Sequence, residues 1–160
     1  MKFDYIKCPL NKYTFSIKPI REWVENECEG RTLNLFAGKT LLNVDEVRVD
    51  KDETMVADHY KDAYTFLKEY GGEKFNTVLL DPPYAIRKSM EFYNGNKVSK
   101  FKKIKDEIVR VLKPDGKVIT FGYHSVSMGI NRGFEVEKVC LFSHGGAIHD
   151  TIATVERKVK

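Results

Sequence analysis

The sequence lacks the features that mark several common classes of protein. Its three cysteines lie far apart with no Cys-x-x-Cys pair, which argues against a disulfide framework and against a zinc site. No apolar run approaches the roughly 20 residues that cross a membrane, and the N-terminus has no apolar signal segment. Residues 36–41 do not form the Gly-x-Gly-x-x-Gly turn of nicotinamide-dependent dehydrogenases. We therefore expect a cytoplasmic protein with no metal site and no membrane partner.

What the sequence does contain is typical of a globular domain. Hydrophobic residues make up 42% of the chain and charged residues 31%. The length of 160 residues, without a repeat or a linker-like segment, predicts one domain that spans residues 1–160. The net charge of +4 is compatible with a nucleic-acid substrate but does not by itself indicate one.

Basic and aromatic residues are concentrated in one stretch of the second half. The cations there are Arg87, Lys88, Lys97, Lys100, Lys102, Lys103 and Lys105, and Phe92, Tyr93 and Phe101 lie among them. A helix predicted over residues 98–112 would collect most of these lysines on one side. They would form either an ordinary solvated face or a surface that follows a phosphate backbone.

A short motif follows the most apolar strand of the sequence. Residues 76–80 are predicted to form a buried parallel strand, and Asp81-Pro82-Pro83-Tyr84 comes directly after it. Two prolines end the strand because they fix the backbone and remove two N–H donors. Alone, this would be an ordinary turn with a solvated acid and ring. At the carboxyl end of a parallel strand, however, it lies where open α/β sheets bind their ligands.

The apolar periodicity predicts alternating helices and strands. Helices are predicted over residues 19–29, 59–70 and 98–112, and strands over 31–38, 46–50, 54–58, 76–80, 117–122, 134–142 and 149–157. Only residues 39–45 separate the first two strands, whereas a helical parallel crossover takes about a dozen residues or more. Two crossovers of the first half are therefore expected to be shortened. The alternative is that residues 46–58 form a hairpin.

Four segments together resemble one enzyme family. Asp81–Tyr84, Phe36-Ala37-Gly38, Lys18-Pro19 and the Leu-Lys-Pro-Asp-Gly run of residues 112–116 are similar to motifs of the class I S-adenosylmethionine-dependent methyltransferases. Within that family, the sequence resembles the branch that methylates exocyclic amino groups, which includes the adenine-specific DNA methylases. The sequence departs from that pattern at Asn34, where the family usually has Asp, and at Lys39-Thr40, which replace Ser-Gly.

The resemblance implies a fold and a set of binding residues. The fold is a three-layer, Rossmann-like α/β domain with a mostly parallel seven-stranded sheet in the order 3-2-1-4-5-7-6. S-adenosyl-L-methionine is the implied cofactor, and the implied cofactor-binding residues are Lys18, Phe36, Ala37, Gly38, Lys39, Asp50, Asp58 and Asp81. Asp50 and Asp58, at predicted strand ends, would accept from the ribose hydroxyls and the adenine amino group; otherwise they are solvated turn residues.

The resemblance also implies a catalytic group. The Asp81 carboxylate and Pro82 carbonyl would accept the two N–H bonds of the target amine, Pro83 would stiffen the turn, and Tyr84 would stack on the target base. Candidate nucleic-acid contacts are Arg87, Lys88, Lys97, Lys100 and Lys103.

The resemblance leads to a specific function with one rival. The expected function is N-methylation of a nucleobase amino group in DNA or RNA, with adenine N6 favoured. No separate target-recognition domain is visible, so recognition would come from a partner protein, a structured RNA or a loosely specified DNA site. The rival is an inactive methyltransferase-like subunit that binds nucleic acid or a partner, which the altered Lys39-Thr40 loop favours.

Overall fold

The computed structural model describes residues 1–146 and 149–160 and shows a seven-stranded sheet with helices on both faces. The sheet strands are β1 (Lys2–Lys7), β2 (Thr32–Asn34), β3 (Glu46–Arg48), β4 (Phe75–Leu80), β7 (Leu112–Gly122), β8 (Phe134–Ser143) and β9 (Thr151–Lys158). A separate hairpin consists of β5 (Met90–Tyr93) and β6 (Asn96–Ser99). The helices are α1 (Lys18–Glu27), α2 (Ala63–Glu69), α3 (Tyr84–Lys88) and α4 (Lys100–Val111), with 3-10 turns at Thr14–Ser16 and Ile130–Arg132.

The sheet is parallel except at one strand. Its order is β3-β2-β4-β7-β9-β8-β1, and only β9 runs antiparallel to its neighbours. The carboxyl ends of β2, β3, β4 and β7 therefore lie at one edge of the sheet. In the described ranges, no helix is both long and apolar enough to cross a bilayer.

The two faces of the sheet carry separate apolar clusters. Along β4, Val78 and Leu80 belong to one cluster and Leu79 to the other, since successive side chains of a strand point to opposite faces. Helices α2 and α4 cover the first face and α1 covers the second. The result is a three-layer arrangement, as the sequence predicted.

The predicted strand order 3-2-1-4-5-7-6 is not confirmed, because one predicted strand does not exist. Residues 54–58 form a turn and bends without a strand, and directly after them a single parallel bridge joins His59 with Val49. The Val56 N–H donates to the Gly38 carbonyl at 3.1 Å and the Asp58 N–H to the Arg48 carbonyl at 2.9 Å, so this segment bonds the neighbouring backbone without the regular ladder of a strand. The alternative hairpin over residues 46–58 does not form either.

The seventh strand comes instead from the N-terminus. Residues 2–7, where no element was predicted, form β1 and pair in parallel with β8 as the outermost strand on the side of the sheet away from β3. The pairing joins Phe3 with Val139 and Tyr5 with Leu141, more than 130 residues apart in sequence.

The shortened crossovers are present. No helix lies between β2 and β3, and α2, the only helix between β3 and β4, has seven residues. The Asp62 carboxylate caps α2 by accepting from the Thr65 N–H at 3.2 Å. The connections in the first half are therefore short, and the carboxyl ends of β2, β3 and β4 still lie side by side.

The β5–β6 hairpin was not among the predicted strands. Asn94 and Gly95 both have positive φ, 49° and 81°, as the two central residues of a type I′ turn require. The hairpin follows the short helix α3 and leads directly into α4.

Ion pairs join the strand ends at the edge opposite the carboxyl ends of the parallel strands. Arg157 binds Glu29 at 3.2 Å and Glu137 at 3.1 Å, and Lys117 binds Glu29 at 3.0 Å. Hydrogen bonds from Arg157 and Lys117 lower the pKa of Glu29. This network neutralises the charges at that edge.

Candidate active site

Two adjoining cavities open at the carboxyl edge of the sheet. The larger, of about 410 Å³, extends over the Phe36–Thr40 loop, and the smaller, of about 190 Å³, lies towards β7 and β9. Both are lined by Thr14, Asp81, Pro82, Tyr84 and Tyr123. The motif after β4 thus forms the boundary between two pockets.

Five of the eight predicted cofactor residues line the larger cavity together: Phe36, Ala37, Gly38, Lys39 and Asp81. Gly38 has φ 66°, and no atom lies within 4 Å of the position that a Cβ would take. The loop therefore presents bare backbone to the cavity, which lets a ligand approach closely. The opposite wall comes from residues 12–15, just before α1.

A buried arginine holds this loop in place of the missing helix. The Arg48 side chain donates to the carbonyls of Ala37 at 2.9 Å, Gly38 at 3.0 Å, Thr40 at 2.8 Å and Val56 at 2.8 Å. The fifth N–H bonds the Glu46 carboxylate at 2.6 Å. Every donor of the guanidinium is used, so one side chain that is 4% exposed fixes the backbone of the loop.

Glu46 also explains a departure from the family pattern. The Asn34 amide donates to the Glu46 carboxylate at 3.2 Å, and both lie under the loop. An aspartate at residue 34 would place a second carboxylate against Glu46 in a buried site, which is unfavourable. The amide is suited to this loop, whose anchor is the Glu46–Arg48 pair.

Three predicted cofactor residues do not line the cavity. Asp50 accepts from the N–H groups of Gly38 at 3.0 Å and Asp52 at 2.9 Å, so it supports the loop from outside. Asp58 is exposed and accepts from the Arg48 backbone. Lys18 is exposed and pairs with Glu22 at 3.6 Å.

The Asp81 side chain is partly buried between the two cavities. Burial raises the pKa of Asp81 to about 6, while the Thr14 side chain and the Arg87 guanidinium lower it. The carboxylate is therefore ionised at neutral pH but close to its titration. In the part of the chain that the structure describes, no turn, loop or side-chain hydrogen bond uses the neighbouring Pro82 carbonyl.

Arg87 was predicted to contact a phosphate backbone at the surface. In the structure it lies in the candidate site and lines the smaller cavity. Its guanidinium donates to the Phe121 carbonyl and lies 5.1 Å from the centre of the Phe101 ring. Burial lowers the pKa of Arg87, and the Asp81 carboxylate raises it. Arg87 lines the smaller cavity and supports Asp81 electrostatically.

A threonine in the smaller cavity is held by a buried histidine. His144 Nδ1 lies 3.3 Å from the Cys8 carbonyl and 3.2 Å from the Pro9 carbonyl, which only accept, so this nitrogen carries the proton. Nε2 then accepts from the Thr151 hydroxyl at 2.8 Å. The Thr151 oxygen, which lines the cavity, is left as an acceptor.

The predicted nucleic-acid contacts divide into two groups. Lys100 pairs with Asp62, and Lys103 donates to Glu91 at 2.8 Å, so both are held by carboxylates. Lys88 and Lys97 are exposed, and neither has a salt bridge within residues 1–146 and 149–160. Lys100 and Lys103 of the helix are therefore held by carboxylates, whereas Lys102 on the helix, like Lys88 and Lys97 before it, is exposed and bonds no carboxylate among the described residues.

Sequence reasoning missed Tyr13, Arg48, Tyr123 and Thr151. Tyr123 follows β7 as Asp81 follows β4, so its position at a strand end was a usable signal. Arg48 lies two residues after Glu46 on a strand, which places both side chains on one face. No local signal marks Tyr13 or Thr151. Among the described residues, no group of three or more metal-ligating side chains comes together.

Solved structures share this fold, although no protein-family model and no curated protein matches the chain. The N-methyltransferase NodS from Bradyrhizobium japonicum WM9 is 10% identical over 89% of this chain and 98% of NodS, with a TM-score of 0.61. The 1,6-didemethyltoxoflavin-N1-methyltransferase of Burkholderia thailandensis is 12% identical over 89% of this chain and 78% of the enzyme, with a TM-score of 0.61. The chain has a methyltransferase fold.

The methyltransferase fold is also found in TrmN from Thermus thermophilus, at 14% identity and a TM-score of 0.59. The match covers 89% of this chain and 49% of TrmN, so the chain spans about half of that protein. The toxoflavin enzyme was solved with its substrate and S-adenosylhomocysteine, and NodS was also solved with S-adenosylhomocysteine. At these identities the likeness concerns the fold.

Proposed function

We propose that this protein is an S-adenosylmethionine-dependent N-methyltransferase that acts on an exocyclic amino group of a nucleobase in DNA or RNA, with adenine N6 favoured. The observation that carries the proposal is the place of Asp81 and Pro82. They lie where a cavity over the Gly38 loop meets a second cavity that is large enough for a flat polar group. This is the arrangement that a transfer between two bound molecules requires.

The larger cavity suits the cofactor. Its floor is the bare backbone of Ala37-Gly38, and its volume of about 410 Å³ is that of a small-molecule site. The related structures with bound S-adenosylhomocysteine support this assignment. Phe36, Gly38, Lys39 and Tyr13 would hold the cofactor, and Asp50 would act through the loop. S-Adenosylmethionine supplies an electrophilic methyl group when bound.

Asp81 and Pro82 would prepare the amine for attack. The lone pair of an exocyclic amine is delocalised into the ring, and accepting both N–H bonds favours a tetrahedral nitrogen whose lone pair is localised and directed at the methyl group. The Asp81 carboxylate and the Pro82 carbonyl supply two acceptors on one rigid turn. The nitrogen forms a bond to the methyl carbon as the carbon–sulfur bond breaks. Asp81, with its pKa near 6, can then take the proton that the nitrogen loses.

Two aromatic side chains would hold the base. Tyr84 and Tyr123 line both cavities and remain largely exposed, so their rings are available for stacking. Stacking on an aromatic side chain is worth about 1–3 kcal/mol per base. A base inside a duplex cannot reach this site, so the substrate must be unpaired or flipped out.

Transfer of a tritiated methyl group tests the proposal. The protein would be incubated with labelled S-adenosylmethionine and total DNA or total RNA, followed by nucleoside analysis. We expect label in an N-methylated nucleoside of one pool, and none with Asp81→Ala. Label only on carbon or oxygen, or equal label with Asp81→Ala, would refute it.

The altered Lys39-Thr40 sequence supports an inactive subunit as the second candidate, since it replaces the family's Ser-Gly. Calorimetric titration separates the two candidates. Measurable S-adenosylmethionine binding is expected for the enzyme, whereas no heat at millimolar cofactor would favour the inactive subunit.

A further inference from the structure

The β5–β6 hairpin has two faces with different surroundings. Glu91 and Tyr93 point to α4, where the Lys103 ammonium bonds the Glu91 carboxylate at 2.8 Å and lies 5.2 Å from the centre of the Tyr93 ring. Since side chains alternate along a strand, Met90 and Phe92 point the other way. Lys97 is the cross-strand partner of Phe92, and its ammonium lies 5.8 Å from the ring centre. We call Met90, Phe92 and Lys97 the outer face.

The outer face is apolar but uncovered. Phe92 is 74% exposed and Met90 is 56% exposed, whereas on the inner face Lys103 of α4 bonds Glu91 and lies over the Tyr93 ring, which is itself 54% exposed. A two-stranded hairpin gains little stability by itself in water. Grouped exposed apolar side chains of this kind mark interaction sites.

The charge of this region identifies the kind of partner. Residues 82–105 contain seven cations and a single carboxylate, that of Glu91, and the chain as a whole has a net charge of only +4. Glu91 points to the inner face and is bonded to Lys103. The outer face therefore carries one cation, Lys97, and the Phe92 ring with no carboxylate, and Lys88 precedes it at the end of α3, a combination that suits a polyanion with stacking groups.

The outer face is joined to the site by one short helix. Helix α3 begins at Tyr84, and at its end the Lys88 ammonium lies 4.5 Å from the centre of the Tyr84 ring. The Ser89 carbonyl accepts from the Lys100 N–H at 3.2 Å, which ties the base of the hairpin to α3. A strand whose target base lies on Tyr84 would meet the hairpin with its neighbouring nucleotides.

We propose that the outer face of the hairpin binds an unpaired nucleic-acid strand next to the target nucleotide. Phe92 stacks on a flanking base, and Lys88 and Lys97 contact the phosphates. The hairpin thus takes the part of a target-recognition region. This inference rests on the proposed function and adds the surface that holds the substrate.

Fluorescence anisotropy with labelled single-stranded DNA and RNA 12-mers tests the inference in the full chain, with about a dozen nucleotides chosen to cover one binding site. Phe92→Ala should weaken binding about 5- to 100-fold. Lys88→Glu with Lys97→Glu should reduce the slope of log affinity against log salt by about 1.4. S-Adenosylmethionine binding, measured by calorimetry, should be unchanged in both variants.

The matched controls lie at the opposite edge of the sheet. Phe3→Ala removes a ring that is 62% exposed on β1, and Lys2→Glu with Lys74→Glu changes the net charge equally. Both should bind the oligonucleotides as wild type does, apart from a small general effect of charge.

Three outcomes would overturn the inference. Oligonucleotide affinity in Phe92→Ala equal to wild type would do so, as would an equal salt slope in the hairpin and control charge variants. A dimer in solution that Phe92→Ala dissociates would assign the face to a second copy of the chain. If the wild-type protein does not bind S-adenosylmethionine, that result counts against the proposed function. The oligonucleotide binding would then still decide the role of the hairpin.

Discussion

The two ends of the parallel strands, which form opposite edges of the sheet, differ in how their charged groups are stabilised. At one edge, Arg157 and Lys117 neutralise their carboxylate partners, and their hydrogen bonds lower the pKa of Glu29. At the other edge, burial raises the pKa of Asp81 to about 6 and lowers the pKa of Arg87. The first edge gains stability from its ionised groups, whereas the second keeps ionised groups at a cost in stability. That cost is typical of a site shaped for chemistry.

The largest expected effect on stability is that of Arg48→Met. It leaves the buried Glu46 carboxylate without its partner and frees four carbonyls, so we expect unfolding to become easier by about 3–5 kcal/mol. Cofactor affinity should fall with it, since the loop over the cavity loses its anchor. Arg157→Met at the opposite edge is the control, with an expected loss of about 1 kcal/mol and normal cofactor binding. Denaturant titration and calorimetry measure both.

Replacing both Glu46 and Arg48 separates two effects of Arg48→Met: the unpaired Glu46 carboxylate and the loss of the side chain that anchors the loop. Arg48→Met with Glu46→Gln should recover part of the lost stability but not the cofactor affinity. Full recovery of both would show that Arg48 does not position the loop.

The next largest effect is on catalysis. Asp81→Asn should lower the rate of methyl transfer on the order of 10²–10³-fold, because an amide offers one weaker acceptor where the carboxylate accepted. Cofactor affinity should be nearly unchanged. Glu137→Gln, which removes a carboxylate from the opposite edge, should leave the rate as it is. A rate loss shared by both variants would remove the contrast between the edges.

The pH dependence of the two edges should have opposite signs. The folded pKa of Asp81 is raised, so its contribution to the free energy of unfolding falls by up to about 3 kcal/mol as pH rises from 4 to 7. Glu29 has a lowered pKa, so its contribution is present above its ordinary value of 4.5 and is lost as pH falls below that value. Methyl transfer should decline as pH falls through about 6. Chemical denaturation of wild type and Asp81→Asn across this range measures the Asp81 contribution to the free energy of unfolding. A rate of methyl transfer that stays constant down to pH 5 would contradict the role of Asp81.

The smallest effect concerns the substrate side of the site. Thr151→Val removes the acceptor that His144 orients, and we expect the KM for the nucleic-acid substrate to rise about tenfold or less, with kcat little changed. Thr151→Ser keeps the hydroxyl and should restore the wild-type KM. If valine and serine behave alike, the hydroxyl has no part in binding.

Part of this fold was accessible from local patterns. The apolar run of β4 and the two prolines after it placed Asp81 at a strand end, and Gly38 lies on the same edge of the sheet as expected. The short distance between β2 and β3 predicted a missing crossover helix. These features depend on neighbouring residues, which a sequence shows directly.

Other parts depend on contacts between distant residues. β1 pairs with β8 across most of the chain, and the partner of Lys100 is Asp62, 38 residues earlier. The lysine side of α4 was an open question because no local pattern tells a paired cation from a free one. Residues 54–58 had an apolar core with an acid at its end, but their backbone bonds the carbonyls of Gly38 and Arg48 without forming a regular strand, and these are contacts with distant residues.

The guanidinium that anchors the loop over the larger cavity has a consequence for engineering. The turn over the larger cavity has no helix between β2 and β3 behind it and is supported by two oppositely charged side chains on one short strand. Transplanting this turn into a designed scaffold would require carrying over that strand and its pair, with no need for an extra layer of helix.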